Sequence, residues 1–146
     1  MNPTEEFKIS AVPAGLIDYI WDDVAPLLQR VEDKAPDDIH SPTVKRELEA
    51  GNKMLITITR EQTLLAINVL DVRTLDSGTK VLYIPITAGD EMDLWLDRFL
   101  EVAIDAAKAY HCTELRGMAV RKGWLTKLKP YGWEEMFTTI RCKIGE

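Results

Sequence analysis

The side chains best suited to metal binding or nucleophilic chemistry are few and scattered in this sequence. Cys112 and Cys142 show none of the spacings that metal-binding cysteines have, so we expect both to be reduced thiols. His40 lies in a polar stretch before a helix start, and His111 ends a long helix, where an imidazolium complements the helix dipole. No further ligand lies at a usable spacing, and the sequence predicts no metal site.

Three acidic residues lie close together near the predicted start of that long helix: Asp90, Glu91 and Asp93, which follow Gly89. We expect Asp90 to cap the helix, and Glu91 and Asp93 to complement its dipole by about 0.3–1 kcal/mol each. An anionic ligand at this position would be repelled. Each carboxylate within roughly 4–6 Å of a pyrophosphate would cost about 1–4 kcal/mol.

The net charge of −6 is unevenly spread along the chain. Residues 1–50 carry eleven acids against five bases, whereas residues 108–146 carry eight bases against four acids. The acidic majority argues against direct nucleic-acid binding, which needs a basic surface. The basic C-terminal part is compatible with a small anionic site, but a solvated surface is the simpler explanation.

Length and hydropathy indicate one domain spanning residues 1–146. The longest apolar runs fall far short of the roughly 20 residues that a membrane-spanning helix needs. The first eight residues are polar and acidic, unlike a signal or transit peptide. We therefore expect a cytoplasmic protein with no membrane association.

Hydrophobic periodicity predicts the order β-α-α-β-β-β-α-β-α-β. In the first helix, Pro26 is expected in the first turn, after a cap at Asp22 or Asp23, and Ser41 is expected to cap the second helix. A strand–helix–strand unit near the middle requires a parallel pair. The predicted strands are 7–12, 53–59, 63–72, 80–86, 113–120 and 137–144, and the predicted helices begin near 22 and span 42–48, 91–110 and 121–131.

This order resembles the GNAT superfamily of N-acetyltransferases over about residues 6–145. The segment 128–133, LKPYGW, is similar to the L-Y-x-x-x-G-F ending of those enzymes. The runs WDDVAPLLQR, VKRELEAGNKMLIT and TELRGMAVRKGW resemble small GNAT-like proteins of tailed bacteriophages and prophages. The resemblance implies an α/β fold with a mixed, mainly antiparallel sheet, a parallel pair formed by its fourth and fifth strands, and four helices.

The resemblance also implies an acetyl-CoA loop of the form Q/R-x-x-G-x-G/A between the fourth strand and the long helix. Here that stretch, Pro85–Asp93, has one glycine and neither Arg nor Gln. We therefore expect a degenerate cofactor loop and no bound cofactor. The residues at the loop's position are Thr87, Ala88, Gly89, Asp90 and Glu91.

The family's catalytic residues are also missing from their expected positions. Its tyrosine acid corresponds to Leu128, and its asparagine falls near Arg121. Tyr131 and Glu114 are weak candidates for the acid and the base. If acetyl-CoA binds at all, the alternative phosphate cradle is expected near Lys122, Lys127 and Lys129.

Three functions follow from these observations. The first is a non-catalytic phage or prophage protein that acts through protein–protein contacts, in virion assembly or on a host target. The second is an acetyl-CoA-dependent N-acetyltransferase with an atypical cofactor loop. The third is an acidic inhibitor of a nucleic-acid-binding host protein. The expected partner is a protein, either a second copy of the chain or a virion or host component.

Overall fold

Five strands and four α-helices form in the part of the chain that the computed structural model describes, residues 7–118 and 122–145. Two short 3-10 turns, Ala14–Leu16 and Lys129–Tyr131, accompany them. In chain order the elements are β1 Phe7–Val12, α1 Ile17–Glu32, α2 Ser41–Glu49, β2 Met54–Arg60, β3 Thr63–Thr74, β4 Lys80–Gly89, α3 Met92–Ala109, β5 Glu114–Gly117 and α4 Lys122–Leu128.

The strands form one mixed sheet in the order β1-β2-β3-β4-β5. The first three pairings are antiparallel, and β4 pairs with β5 in parallel, from Val81 opposite Glu114 to Ile84 opposite Gly117. Helix α3 makes the crossover between these two strands, as a parallel connection requires. The predicted fold class, with its parallel pair and four helices, is confirmed.

The β2–β3 hairpin turns on Glu61 and Gln62, whose φ angles are 50° and 70°. Left-handed conformations at both central residues match the right-handed twist of the flanking strands. The sequence predicted this hairpin from its short connection, although neither residue is a glycine or an asparagine.

Helices cover both faces of the sheet and produce two hydrophobic clusters. On one face, Trp95 and Phe99 of α3 are fully buried, with ring centroids 6.0 Å apart in an edge-to-face arrangement. On the other face, Ile17, Val24 and Leu28 of α1 pack with α2 and the central strands. The apolar stripe predicted for the long helix is therefore its buried face.

The starts of α1 and α2 differ from the predictions. Helix α1 begins at Ile17, so Pro26 lies inside it and neither Asp22 nor Asp23 is a cap. Its buried face compensates for the backbone bond that the proline cannot make. Helix α2 starts at Ser41, which caps nothing; its amide and hydroxyl donate to Glu32 Oε1 at 2.6 and 2.7 Å.

The predicted last strand, 137–144, is wrong for the single chain: the structure assigns neither helix nor strand to residues 133–145. A strand needs a hydrogen-bonded partner, and this segment lies exposed, away from the sheet. Strand β5 is also shorter than the predicted 113–120, of which 119 and 120 lie outside the described residues. Within the described residues, no helix combines the length and apolar character that crossing a membrane requires.

Candidate functional site

Strands β4 and β5 part midway along β4. Their ladder ends at Ile84 opposite Gly117, and β4 continues to Gly89 paired only with β3 among the described residues. Pro85 comes directly after the last paired residue and has no N–H to donate. The β3–β4 register is also irregular there, as is usual for a proline within a sheet. Pro85 therefore removes one backbone donor at the point where the β4–β5 ladder ends.

The separation opens a cleft of about 240 Å³ between the sheet, α1, α3 and α4. Three cationic side chains, Arg30, Lys34 and Lys127, are among the residues that line it, and none of its described lining residues is a carboxylate. The remaining lining residues are Val31, Pro85, Thr87, Ala88, Gly89, Met92, Met118, Gly123 and Trp124. The cleft thus carries cationic side chains on an otherwise largely apolar wall, and two of these cations, Arg30 and Lys127, are ion-paired with Asp90 and Asp93.

Gly89, at the end of β4, lies close to the backbone of β3. Its φ is 144°, and a Cβ there would overlap the backbone of Leu65 and Ala66. The amide of Asp90 donates to the Leu65 carbonyl at 2.9 Å. Thr87, Ala88 and Gly89 therefore belong to β4, and the expectation that they form a loop is wrong. The one glycine in this stretch is required by packing against β3.

The three acids at the start of α3 all have cationic partners. Asp90 Oδ1 lies 3.0 Å from Arg30 Nη1, and Asp93 Oδ1 lies 2.7 Å from Lys127 Nζ. Glu91 Oε2 lies 2.6 Å from Arg60 Nη2. The repulsion expected from these acids is therefore reduced, because each charge is balanced locally.

The expected cap at Asp90 is wrong. Helix α3 begins at Met92, and the N-cap position belongs to Glu91, whose φ is 55° and whose side chain makes no capping bond. Only Asp93 of the three acids lies in the first helical turn. Among the described residues, the amides of Glu91, Met92 and Asp93 donate to no other group. Met92 lines the cleft, so this helix start, with its positive dipole end, borders the cavity.

Neither of the predicted catalytic candidates lies in the cleft. Glu114 begins β5, at the opposite end of the strand from the opening, and one of its oxygens lies 3.2 Å from Arg116 Nε. The Tyr131 hydroxyl donates to Asp97 of α3, and this hydrogen bond is the main reason that the pKa of Tyr131 is raised. Leu128 is buried in the core, and Arg121 lies outside the described residues. No proton donor among the described residues replaces the family tyrosine at its expected place.

Tyr131 instead lines a second groove, of about 350 Å³, on the outer side of α3 and β5. Its other lining residues are Asp97, Leu100, Glu101, Ile104, Leu115 and Trp133. This groove adjoins the outer edge of the sheet and is separate from the cleft between β4 and β5. The two cavities share no lining residue.

Sequence reasoning missed Arg30 and Lys34, which come from the acidic N-terminal third of the chain. No local pattern distinguishes them, because their place depends on how α1 packs against β4. Of the lysines expected to form an alternative cradle, Lys127 does line the cleft, whereas Lys129 is not among the lining residues. The described residues contain no cluster of His, Cys, Asp or Glu able to hold a metal ion.

No protein-family model and no curated protein sequence matches this chain. Solved structures do match it over nearly its whole length. An aminoglycoside acetyltransferase from an uncultured soil metagenomic sample, in complex with sisomicin, superposes with a TM-score of 0.73 at 14% identity, covering 99% of this chain and 100% of that one.

A ribosomal-protein-alanine N-acetyltransferase from Brucella melitensis biovar Abortus 2308 superposes with a TM-score of 0.69 at 13% identity, covering 95% and 99% of the two chains. A glucosamine-6-phosphate N-acetyltransferase from Arabidopsis thaliana gives 0.62 at 13% identity, with 95% and 99% covered. Identities this low establish the fold and leave the activity open. The chain has the fold of the GNAT acetyltransferases.

Proposed function

We propose that this chain binds acetyl-CoA in the cleft between β4 and β5 and transfers the acetyl group to a primary amine. The observation that carries the proposal is the position and charge of the cleft. It opens where the two parallel strands part, it borders the start of α3, and Arg30, Lys34 and Lys127 line it without any lining carboxylate.

The residues present fit an elongated ligand that has an anionic part and an amide-containing part. The free amides at Glu91–Asp93, the dipole of α3 and Lys34 suit a pyrophosphate, together with Arg30 and Lys127, whose charges are shared with Asp90 and Asp93. Beyond Ile84, the edge of β4 that faces the cleft offers backbone groups to amides in an extended chain. The ion pairs of Asp90 and Asp93 lower the repulsion that the sequence alone suggests.

When bound, acetyl-CoA supplies an activated thioester. The acceptor amine must lose a proton and the departing thiolate must gain one. The described lining residues include no carboxylate, histidine or tyrosine that could move either proton. We therefore assign binding and orientation to the protein, and proton exchange to water. The rate should then rise with pH until the acceptor amine itself is fully deprotonated, with no plateau set by a protein group.

The choice of acceptors to test follows from the similar folds. They include an aminoglycoside acetyltransferase and a ribosomal-protein-alanine N-acetyltransferase. An aminoglycoside and a short peptide with a free N-terminal alanine therefore represent the first two amine classes for this chain. Acetylation of either would support the proposal.

The binding test is a calorimetric and thermal-shift titration with acetyl-CoA. A ligand at 100 times its Kd stabilises the folded state by about 2.7 kcal/mol, which a melting curve of a small domain resolves easily. Lys34→Glu should weaken binding by about tenfold or more, because it reverses a charge on the cleft wall. The matched control is Lys8→Glu, an exposed lysine on β1 at the far edge of the sheet, which should leave the Kd unchanged.

A second candidate is the contact protein without catalytic activity that the sequence suggested, with a phage or host protein as its partner. The burial of Leu128 at the family's acid position and the bond between Tyr131 and Asp97 outside the cleft favour it. If millimolar acetyl-CoA neither binds nor raises the melting temperature, the acetyltransferase proposal fails and this second function takes its place.

A further inference from the structure

The C-terminal segment exposes apolar side chains that a folded domain normally covers. Phe137 is 74% exposed, Ile140 88% and Ile144 100%. Successive residues of an extended segment point to opposite sides, so Ile140, Cys142 and Ile144 share one face. The segment has the alternation of a half-buried strand and lacks a partner among the described residues.

A surface that suits such a strand lies elsewhere on the same chain. Strand β5 ends the sheet and, among the described residues, pairs only with β4. Beside its open edge lies the second groove, whose apolar wall includes Leu100, Ile104 and Leu115. Ile104 is among the exposed large apolar residues. An open strand edge next to an apolar groove is a template for one added strand.

We propose that residues 137–144 add as a strand to β5 of a second copy of this chain, and that two copies exchange these segments reciprocally. The face with Ile140, Cys142 and Ile144 would cover the groove. The opposite face would bring Arg141 and Lys143 to the side of β5 that carries the ion pair of Glu114 and Arg116. The groove and the alternation of the segment agree in this one arrangement.

The path of the chain favours a second copy over the chain's own edge. After α4 and the turn Lys129–Tyr131, Trp133 lies against Gly117, where β5 ends; a Cβ on Gly117 would be 3.5 Å from the indole ring. From Glu134 to Gly145 every residue is exposed, so the segment does not return to its own sheet. Reciprocal exchange pairs the outer edge of β5 in both copies about one two-fold axis, so the exchange is complete in a dimer.

The oligomeric state tests this proposal directly. Light scattering after gel filtration, and sedimentation at about 100 µM protein, should show a dimer. The double variant Ile140→Asp with Ile144→Asp should be a monomer with an unchanged circular dichroism spectrum. Tyr19→Asp, which places a new charge on an exposed aromatic of α1, should remain dimeric. A monomeric unmodified chain, or a dimer that survives the double variant, would overturn the proposal.

Cross-linking distinguishes exchange from closure within one chain. In a Cys112→Ser background, Ile104→Cys places a thiol in the groove that Cys142 is proposed to cover. A short bismaleimide should then produce a covalent dimer, and the same protein with Cys142→Ser should give none. An internally linked monomer would show that the segment pairs with its own β5, and absence of any linked product would show that it does not reach the groove; either result rejects the exchange.

Discussion

Arg30 of α1 and Asp90 of the β4–α3 turn form an ion pair at the rim of the cleft, with Arg30 Nη1 3.0 Å from Asp90 Oδ1 and Nη2 3.5 Å from Oδ2. The two residues are far apart in sequence. Their contact places a cation that lines the cleft next to a carboxylate that competes with any anionic ligand for it. Asp90 therefore limits how strongly Arg30 attracts a pyrophosphate.

Removing the charge of Asp90 should strengthen acetyl-CoA binding. We expect Asp90→Asn to lower the Kd several-fold, because Arg30 is then free for the ligand, and to change the free energy of unfolding by less than about 1 kcal/mol, since both side chains are largely exposed. Asp18→Asn, which breaks an ion pair with Lys45 on the α1–α2 surface, should not affect the Kd. Calorimetry measures both; weaker binding by Asp90→Asn would contradict the assignment of Arg30.

The buried stripe of α3 should dominate stability. Trp95→Ala and Phe99→Ala should each lower the free energy of unfolding by about 3–5 kcal/mol, because both side chains are fully buried. The Trp95 indole also donates a hydrogen bond to the Asp90 carbonyl at 2.9 Å, so the backbone at the rim of the cleft is bonded to a side chain of the hydrophobic core. Asp105→Ala, on the exposed side, should change it by less than about 0.5 kcal/mol. Urea denaturation compares the three variants, and equal effects would refute this register.

Gly89 should not tolerate any side chain. Gly89→Ala introduces a Cβ into the backbone of Leu65 and Ala66 at a φ of 144°, so we expect a loss of more than about 2 kcal/mol or failure to fold. Gly15→Ala is the control, because a Cβ there meets nothing within 4 Å. Thermal melting of the two variants is the measurement. Comparable melting temperatures would mean that β4 and β3 lie further apart than described.

Tyr131 should titrate at a higher pH than an ordinary tyrosine. Its hydrogen bond to Asp97, and then its desolvation and the nearby charge, raise its pKa above the ordinary value of 10.0. Because the folded-state pKa is the higher one, the folded chain holds this proton more tightly, so the contribution to stability is complete below about pH 10 and disappears as pH rises through the folded-state pKa. Asp97→Asn should return the tyrosinate absorbance of this residue to a lower pH, whereas Asp105→Asn should not.

The sequence predicted those parts of the fold that local pattern determines. The stripe containing Trp95 and Phe99 defined α3, and the run between β4 and β5 required a parallel crossover. The hairpin at Glu61 and Gln62 followed from its length alone. In each case the information lies within a few turns of helix or a single connection.

Features that depend on distant contacts could not be predicted in this way. The sequence predicted Asp90 as the helix cap, but Asp90 forms an ion pair with Arg30 of α1. The N-cap position, with its left-handed backbone conformation, belongs to Glu91. The sequence predicted Pro26 in the first turn of the helix, but the buried face of α1 extends on both sides of this proline. The cationic lining of the cleft could not be predicted either, because Arg30 and Lys34 reach the cleft only through the packing of α1 on β4.

The strand order of the sheet has a consequence for synthesis on the ribosome. Because the strands lie in the sheet in the order in which they occur in the chain, each new strand finds its neighbour already made. Residues 7–89 complete four antiparallel strands before α3 emerges, and such sequence-local pairing folds quickly and exposes few unpaired edges. Because β5 follows α3 in the chain, its outer edge forms only after the four antiparallel strands, so folding during synthesis exposes this edge late.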